Sequence, residues 1–248
     1  MHELKNSSEI MYIKQACRIV GELLQYMREI AKEGLTTEWL NEKAEAFIKK
    51  RGAEPAFKNY NGYPASICAS VNDEVIHGIP GPYRLREGDI LSVDVGVKKS
   101  GYFGDAAITI PVGQISTQKE KLLRVTEEAL YLGIAQAVHN NHVSDISQAV
   151  QNYVEKNGFS VVRDFVGHGV GKKLHEEPPI PNYKTPGRGP RLFSGMTLAI
   201  EPMVNEKAFE VVVKKDNWTV VTKDGACSAH FEHTILVRDS EPEILTLV

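Results

Sequence analysis

The sequence predicts an α+β fold in which a unit of two helices and several strands is used twice around one curved, antiparallel-rich sheet. Three observations carry that prediction. Two pairs of amphipathic helices are each stopped by a glycine, Gly52 in the first half and Gly158 in the second. After each stop the chain enters strand-like text and passes a glycine-flanked histidine, His77-Gly78 and then Gly167-His168-Gly169. A strand then follows with similar wording, LREGDILSVDV from Leu85 and LFSGMTLAIEP from Leu192, which puts Asp94 and Glu201 in matching places. The repetition implies a pseudo-twofold arrangement, with helices on the convex side of the sheet and side chains from both halves meeting at its centre.

The elements follow in order. Ile10, Ile13, Cys17, Val20, Leu24 and Met27 recur at three- and four-residue spacing after Ser7-Ser8, which predicts a capped amphipathic helix of about seven turns. A second helix is expected from Thr36-Thr37 to Gly52, a third near 117–138 and a fourth near 144–157. The proline-rich stretch from Glu177 to Pro190 reads as an ordered loop beside the site. No linker or low-complexity segment separates the halves, about 1–112 and 113–248, so the 248 residues are read as a single domain.

Alternation within the strands places the acids. In DILSVDVGVKKSGYFGDAAITI, Ser92, Asp94 and Gly96 fall on one face and Leu91, Val93 and Val95 on the other. On the return strand Asp105, Ala107 and Thr109 oppose Ala106, Ile108 and Ile110, so both carboxylates lie on the non-hydrophobic face. A turn centred between Lys99 and Ser100 would set Asp94 directly across from Asp105, unless a bulge shifts the register. Two anions within about 5 Å repel each other, and a divalent metal is the simplest neutraliser. TLAIEPMV and AHFEHTILV repeat the device with Glu201 and Glu232, and His168 is kept uncrowded by Gly167, Gly169 and Gly171. The bland reading of each acid is a solvated outer face, and of a lone histidine a satisfied structural residue. Five such groups with small neighbours in every strand favour a two-metal hydrolase centre.

Composition restricts the partners. Net charge is −3 and basic runs are short, so nucleic acid is not expected. MHELKNSSEI carries no apolar signal region and no uncharged run approaches the length of a membrane span. Cys17, Cys68 and Cys227 are widely spaced without a CxxC, which suggests neither a disulfide framework nor a zinc ribbon and fits a reducing cytoplasm.

HGIPG from His77, SVDVGVKKSGYFGD from Ser92, GHGVGKKLHEEP from Gly167, AIEPMV from Ala199 and FEHT from Phe231 together resemble the five motif regions of type I methionine aminopeptidases in their short bacterial form. The resemblance spans nearly the whole chain. It implies the pita-bread fold and removal of the initiator methionine from nascent polypeptides and peptides when the next residue is small. It also implies two divalent ions (Co, Mn, Fe or Zn), with Asp94 binding one through both oxygens, Asp105 and Glu232 bridging, and His168 and Glu201 binding the other. Water shared by two such ions is acidified toward neutral pH and is the expected nucleophile. Glu201 is then the base, His175 the stabiliser of the tetrahedral oxyanion and His77 the group that orients the peptide nitrogen.

For the methionine side chain the resemblance nominates Tyr60, Tyr63, Cys68 and Trp218, with Phe57 and Leu174 at positions that vary among relatives. It further implies one sodium or potassium ion on backbone carbonyls near Asn72, Glu74 and Ser228. His230 stands where some relatives carry glutamine. A monomer and a cytoplasmic location are expected, and the sequence leaves transient contact with the ribosome open. Two other readings are a proline-specific peptidase on the same fold, which ordinarily brings an extra N-terminal domain, and a metal-free recognition module, which would be expected to lack one or more of the five ligands.

Overall fold

The structure, a computed structural model, describes residues 4–248. The first half runs α1 (Ser7–Ile30), α2 (Thr37–Lys50), β1 (Glu54–Pro55), β2 (Cys68–Val71), β3 (Glu74–Ile76), β4 (Ile90–Lys99) and β5 (Tyr102–Pro111). The second runs α3 (Thr117–Ala135), α4 (Val143–Lys156), β6 (Ser160–Val161), β7 (Gly167–Gly169), β8 (Glu176–Ile180), β9 (Thr197–Ile200) and β10 (Met203–Asn205). It closes with β11 (Val211–Val213), β12 (Val220–Thr222), β13 (Ser228–His230), β14 (Glu232–Leu236) and β15 (Glu243–Ile244).

The helices form where periodicity places them. The cap of α1 is Asn6 and not Ser7-Ser8: its side chain accepts from the N–H groups of Ser8 and Glu9, and Glu9 reaches back to the Asn6 N–H, a capping box. Thr36 caps α2 by accepting from the Trp39 N–H. Helix α3 ends at Ala135, short of the expected 138, because Val138 leaves the helix to bridge Arg238.

The expected single sheet is divided into three. The main path is β1-β4-β5-β14-β9-β7-β8, with β2 added beside β4 and β15 beside β14. The strands β13-β10-β6 and β11-β12-β3 form two smaller sheets. All these strand pairings are antiparallel. One division has a local cause. His233 pairs with Ile200 and, beyond Pro202, His230 pairs with Met203, so a single register continues through a break at a residue without an N–H. Glu201 and Glu232 stand opposite each other at that break.

Two sequence expectations change here. The β4–β5 turn is centred between Ser100 and Gly101, with Lys99 paired to Tyr102, so Asp94 faces Ala107 and Asp105 faces Gly96. Ser100 and Gly101 have φ of 54° and 82°, the doubly left-handed backbone of a two-residue hairpin whose twist suits the flanking strands. The carboxylates are therefore diagonal neighbours, still on one face. The proline-rich stretch also begins as strand and not loop: among the described residues β8 pairs only with β7, and an edge strand tolerates Pro178 and Pro179.

The apolar face of β4 and β5 (Leu91, Val93, Val95, Val97, Ala106, Ile108) packs with residues of all four helices into one core. Helix α1 approaches so closely that a Cβ on Gly104 would lie 2.6 Å from the Cys17 nitrogen and 2.8 Å from its Cα. Gly104→Ala is therefore expected to destabilise the protein by about 1–3 kcal/mol through overpacking against helix backbone. Denaturant unfolding checks this, and an unchanged midpoint would show that α1 yields without cost.

Candidate metal centre

Register builds the site row by row, since directly paired residues share a face. One row reads Cys68, Asp94, Ala107, Glu232 across β2, β4, β5 and β14. Two residues along, Gly96 pairs with Asp105, while Thr234, Ala199 and His168 continue across β14, β9 and β7. The Thr234 hydroxyl joins the two segments, accepting from the Asp105 N–H at 3.2 Å and donating to its carbonyl at 2.7 Å. Small residues alternate with the ligand-type side chains, so Ala107 and Ala199 leave space between acids that larger side chains would fill. Glu201 follows directly after β9.

All five predicted residues converge. Nε2 of His168 lies 3.8 Å from Asp105 Oδ2 and 3.5 Å from Glu201 Oε1. Asp105, His168 and Glu232 each offer a ligand atom within 4.8 Å of the others. Asp94 Oδ1, Asp105 Oδ1 and Glu232 Oε1 are buried without a hydrogen-bond partner among the described residues. Nδ1 of His168 lies 2.8 Å from the Gly169 carbonyl. A carbonyl only accepts, so Nδ1 carries the proton and the Nε2 lone pair faces carboxylates that have no proton to give when ionised. Orphaned anionic oxygens meeting an unprotonated nitrogen are a donor set that a divalent cation satisfies.

The electrostatics agree. Burial pushes Asp94 up to about 7. Burial, then repulsion from Glu232 and Asp94, raises Asp105; burial, then Asp94 and Asp105, raises Glu201; burial, then Glu201 and Asp94, raises Glu232. The histidines move oppositely: burial, then His175, lowers His168 to about 3 and His77 to about 4, and burial lowers His175. Neutral imidazoles at neutral pH are what metal ligation requires.

Above this floor lies a cavity of about 210 Å³ lined by every predicted pocket residue, Phe57, Tyr60, Tyr63, Cys68, Leu174 and Trp218, together with His77 and His175. Phe57, Tyr63, Cys68 and Leu174 form an apolar cluster distinct from the main core, with Trp218 against it. Tyr63 meets Trp218 edge-on at 5.1 Å between centroids. Gly96 makes room for this wall, because a Cβ there would lie 2.5 Å from the Phe57 ring. A second cavity of about 280 Å³ shares His77, His168, His175 and Glu201 with the first and adds Ile76, Phe165, Glu176, Glu177 and Pro179.

Sequence reasoning missed Asn61, Phe165, Glu176 and Glu177. Asn61 precedes Gly62 in a left-handed turn, a signal that the Asn-Gly pair carried. Phe165 reaches the site only by folding, edge-on to His77 at 5.7 Å. His230 is buried beside the site, its Nε2 3.8 Å from Glu201 Oε2. Asn72, Glu74 and Ser228 lie outside the cavity's lining, with the Ser228 N–H donating to the Asn72 carbonyl at 2.8 Å.

Comparison with known proteins gives a consistent result. The chain is 54% identical over 245 residues to a methionine aminopeptidase of Clostridium perfringens, covering 99% of this chain and 98% of that protein. It is 52% identical over 244 residues to methionine aminopeptidase 1 of Bacillus subtilis, covering 98% of each. The crystal structure of methionine aminopeptidase from Thermotoga maritima superposes with a TM-score of 0.98 at 47% identity, over 100% of both chains. Residues 11–239 match the model of metallopeptidase family M24. With a buried carboxylate and imidazole cluster at the centre of an antiparallel sheet, and agreement over its whole length, the chain belongs to metallopeptidase family M24.

Proposed function

We propose that the protein is a metal-dependent methionyl aminopeptidase that removes N-terminal methionine when the following residue is small. One observation carries this reading: an apolar, aromatic-walled cavity ends on the cluster of Asp94, Asp105, His168, Glu201 and Glu232. Asp94, Asp105, His168, Glu201 and Glu232 would hold two divalent ions drawn from Mn, Fe, Co or Zn. When bound, such ions supply charge neutralisation, Lewis acidity and a water acidified toward neutral pH.

The chain's own residues do the rest. Phe57, Tyr63, Cys68 and Trp218 surround the methionine side chain, whose thioether makes favourable contacts with aromatic edges. Glu201, at the end of its ladder and lining both cavities, accepts the proton of the attacking water and returns it to the leaving amine. His77 and His175 also line both cavities, so they flank the junction where the first peptide bond lies. His77 orients the peptide nitrogen and His175 donates toward the developing oxyanion. The second cavity takes the following residues, and Phe165, Glu177 and Pro179 in its wall restrict the size of the second side chain.

Metal-stripped protein is expected to regain hydrolysis of Met-Ala-Ser on titration with one or more of Mn, Fe, Co and Zn, while Ala-Ala-Ser, Met-Leu-Ser and Xaa-Pro peptides remain intact. Cleavage of the Xaa-Pro peptides alone would instead identify a proline-specific enzyme. No cleavage from folded, metal-loaded protein would favour a recognition module.

The titrating groups give a second expectation. Below about pH 6.5, the lowered histidines and raised carboxyls oppose each other, because unfolding takes up protons on the former and releases them from the latter. Above it only the carboxyls count: the native state binds more protons than the unfolded state, so stability falls as pH rises. The melting temperature of metal-free protein should therefore drop between about pH 6.5 and 8, and added divalent metal should raise it most at the upper end. A flat profile in calorimetry would mean that the carboxyls ionise normally without metal.

A further inference from the structure

The hydroxyl of Tyr60 lies 2.7 Å from Nδ1 of His175. This contact joins two side chains of the cavity wall, and the pocket role assigned to Tyr60 does not need it. Several features show that it is built. Tyr60 sits in a short turn flanked by Asn59 at φ 68° and Asn61 at φ 49°. The turn is closed by its own backbone, with the Tyr60 N–H donating to the Phe57 carbonyl, the Tyr63 N–H to the Tyr60 carbonyl and the Asn59 N–H to the Tyr63 carbonyl, all at 2.8–2.9 Å. Tyr63 pins the turn from below, its hydroxyl 2.9 Å from the Gly78 carbonyl and 3.1 Å from that of Ile67. On the other side, the His175 ring packs against the His168 ring at 4.3 Å between centroids and 69° between planes.

The contact admits two directions, Nδ1–H donating to the phenol oxygen or the phenol donating to an unprotonated Nδ1. Burial holds the Tyr60 proton on its oxygen, and among the described residues Nδ1 of His175 is the acceptor within reach of that hydroxyl, which favours the phenol as donor. A neutral imidazole accepting at Nδ1 carries its proton on Nε2, at the opposite edge of the ring. That is the tautomer able to donate toward a carbonyl oxygen at the junction of the two cavities.

We infer that Tyr60 is a positioning residue: its hydroxyl donates to Nδ1 of His175, fixes the Nε2–H tautomer and ring orientation, and so presents that N–H to the scissile carbonyl. The inference rests on the peptidase reading given above. The phenol acts through His175 and does not touch the reacting atoms, while its ring still forms part of the pocket wall.

Tyr60→Phe separates the two roles, because it keeps the ring and removes only the hydroxyl. With the metal-loaded enzyme and Met-Ala-Ser, kcat is expected to fall about tenfold with KM within about twofold, less than the loss for deleting an oxyanion donor outright, since the freed ring still samples the correct tautomer. Metal affinity by chelator competition should not change. In zinc-loaded protein carrying ¹⁵N-histidine, with His175 assigned by its absence in His175→Asn, wild-type Nδ1 should appear unprotonated, and Tyr60→Phe should shift it toward a tautomer mixture.

A protonated Nδ1 in the wild type overturns the inference. So does an unchanged kcat in Tyr60→Phe, or a rise in KM alone, which would leave Tyr60 as pocket wall only. The NMR readout needs no substrate: if no peptide is cleaved but Nδ1 is unprotonated and depends on the hydroxyl, the peptidase reading fails while the tautomer assignment stands.

Discussion

The repulsion among Asp94, Asp105, Glu201 and Glu232, held on one face of a sheet with little water to screen them, is the constraint around which the rest of the molecule is arranged. Each buried anion costs several kcal/mol in desolvation if left uncompensated, and three of their oxygens have no hydrogen-bond donor among the described residues. A flexible scaffold would relax by turning these side chains outward. Here the opposite face of β4 and β5 is locked into the core beneath the helices, so rotation of the strands would expose a run of Leu, Val and Ile. The hydrophobic face thus keeps the charged face in place, and a cation is the compensation that remains.

The geometry of the floor depends on two departures from regular sheet. The left-handed Ser100-Gly101 turn sets Asp94 and Asp105 on the diagonal, so that each faces a small residue, Ala107 or Gly96. Pro202 interrupts the β9–β14 ladder where Glu201 meets Glu232. Four of the five ligand candidates, Asp94, Asp105, His168 and Glu232, are therefore held within strands, while Glu201 sits at a point where pairing lapses. That difference suits the roles proposed for them: rigid ligands on one hand, and on the other a carboxylate that also moves a proton.

The histidines complete the electrostatic design. Burial keeps His77, His168 and His175 neutral at physiological pH, so each offers one lone pair and one N–H and adds no positive charge to compete with a metal. Which nitrogen carries the proton is then set by neighbours: a backbone carbonyl for His168 and, by the inference above, the Tyr60 phenol for His175.

Sequence alone determined the five ligand candidates, the shared face of Asp94 and Asp105, the paired helices and the duplicated plan, because side-chain alternation and helical periodicity are local properties of the chain. Resemblance of motifs added the pocket residues, which composition and spacing could not distinguish from core. Tertiary structure decided what depends on contacts distant in sequence: the register that places Glu232 beside Ala107, the continuation of one ladder through Pro202, Phe165 against His77, and the second cavity with Glu176 and Glu177. The Tyr60–His175 hydrogen bond belongs with these, since it joins residues 115 positions apart. Local pattern says which way a side chain faces, and only the folded chain says what it faces.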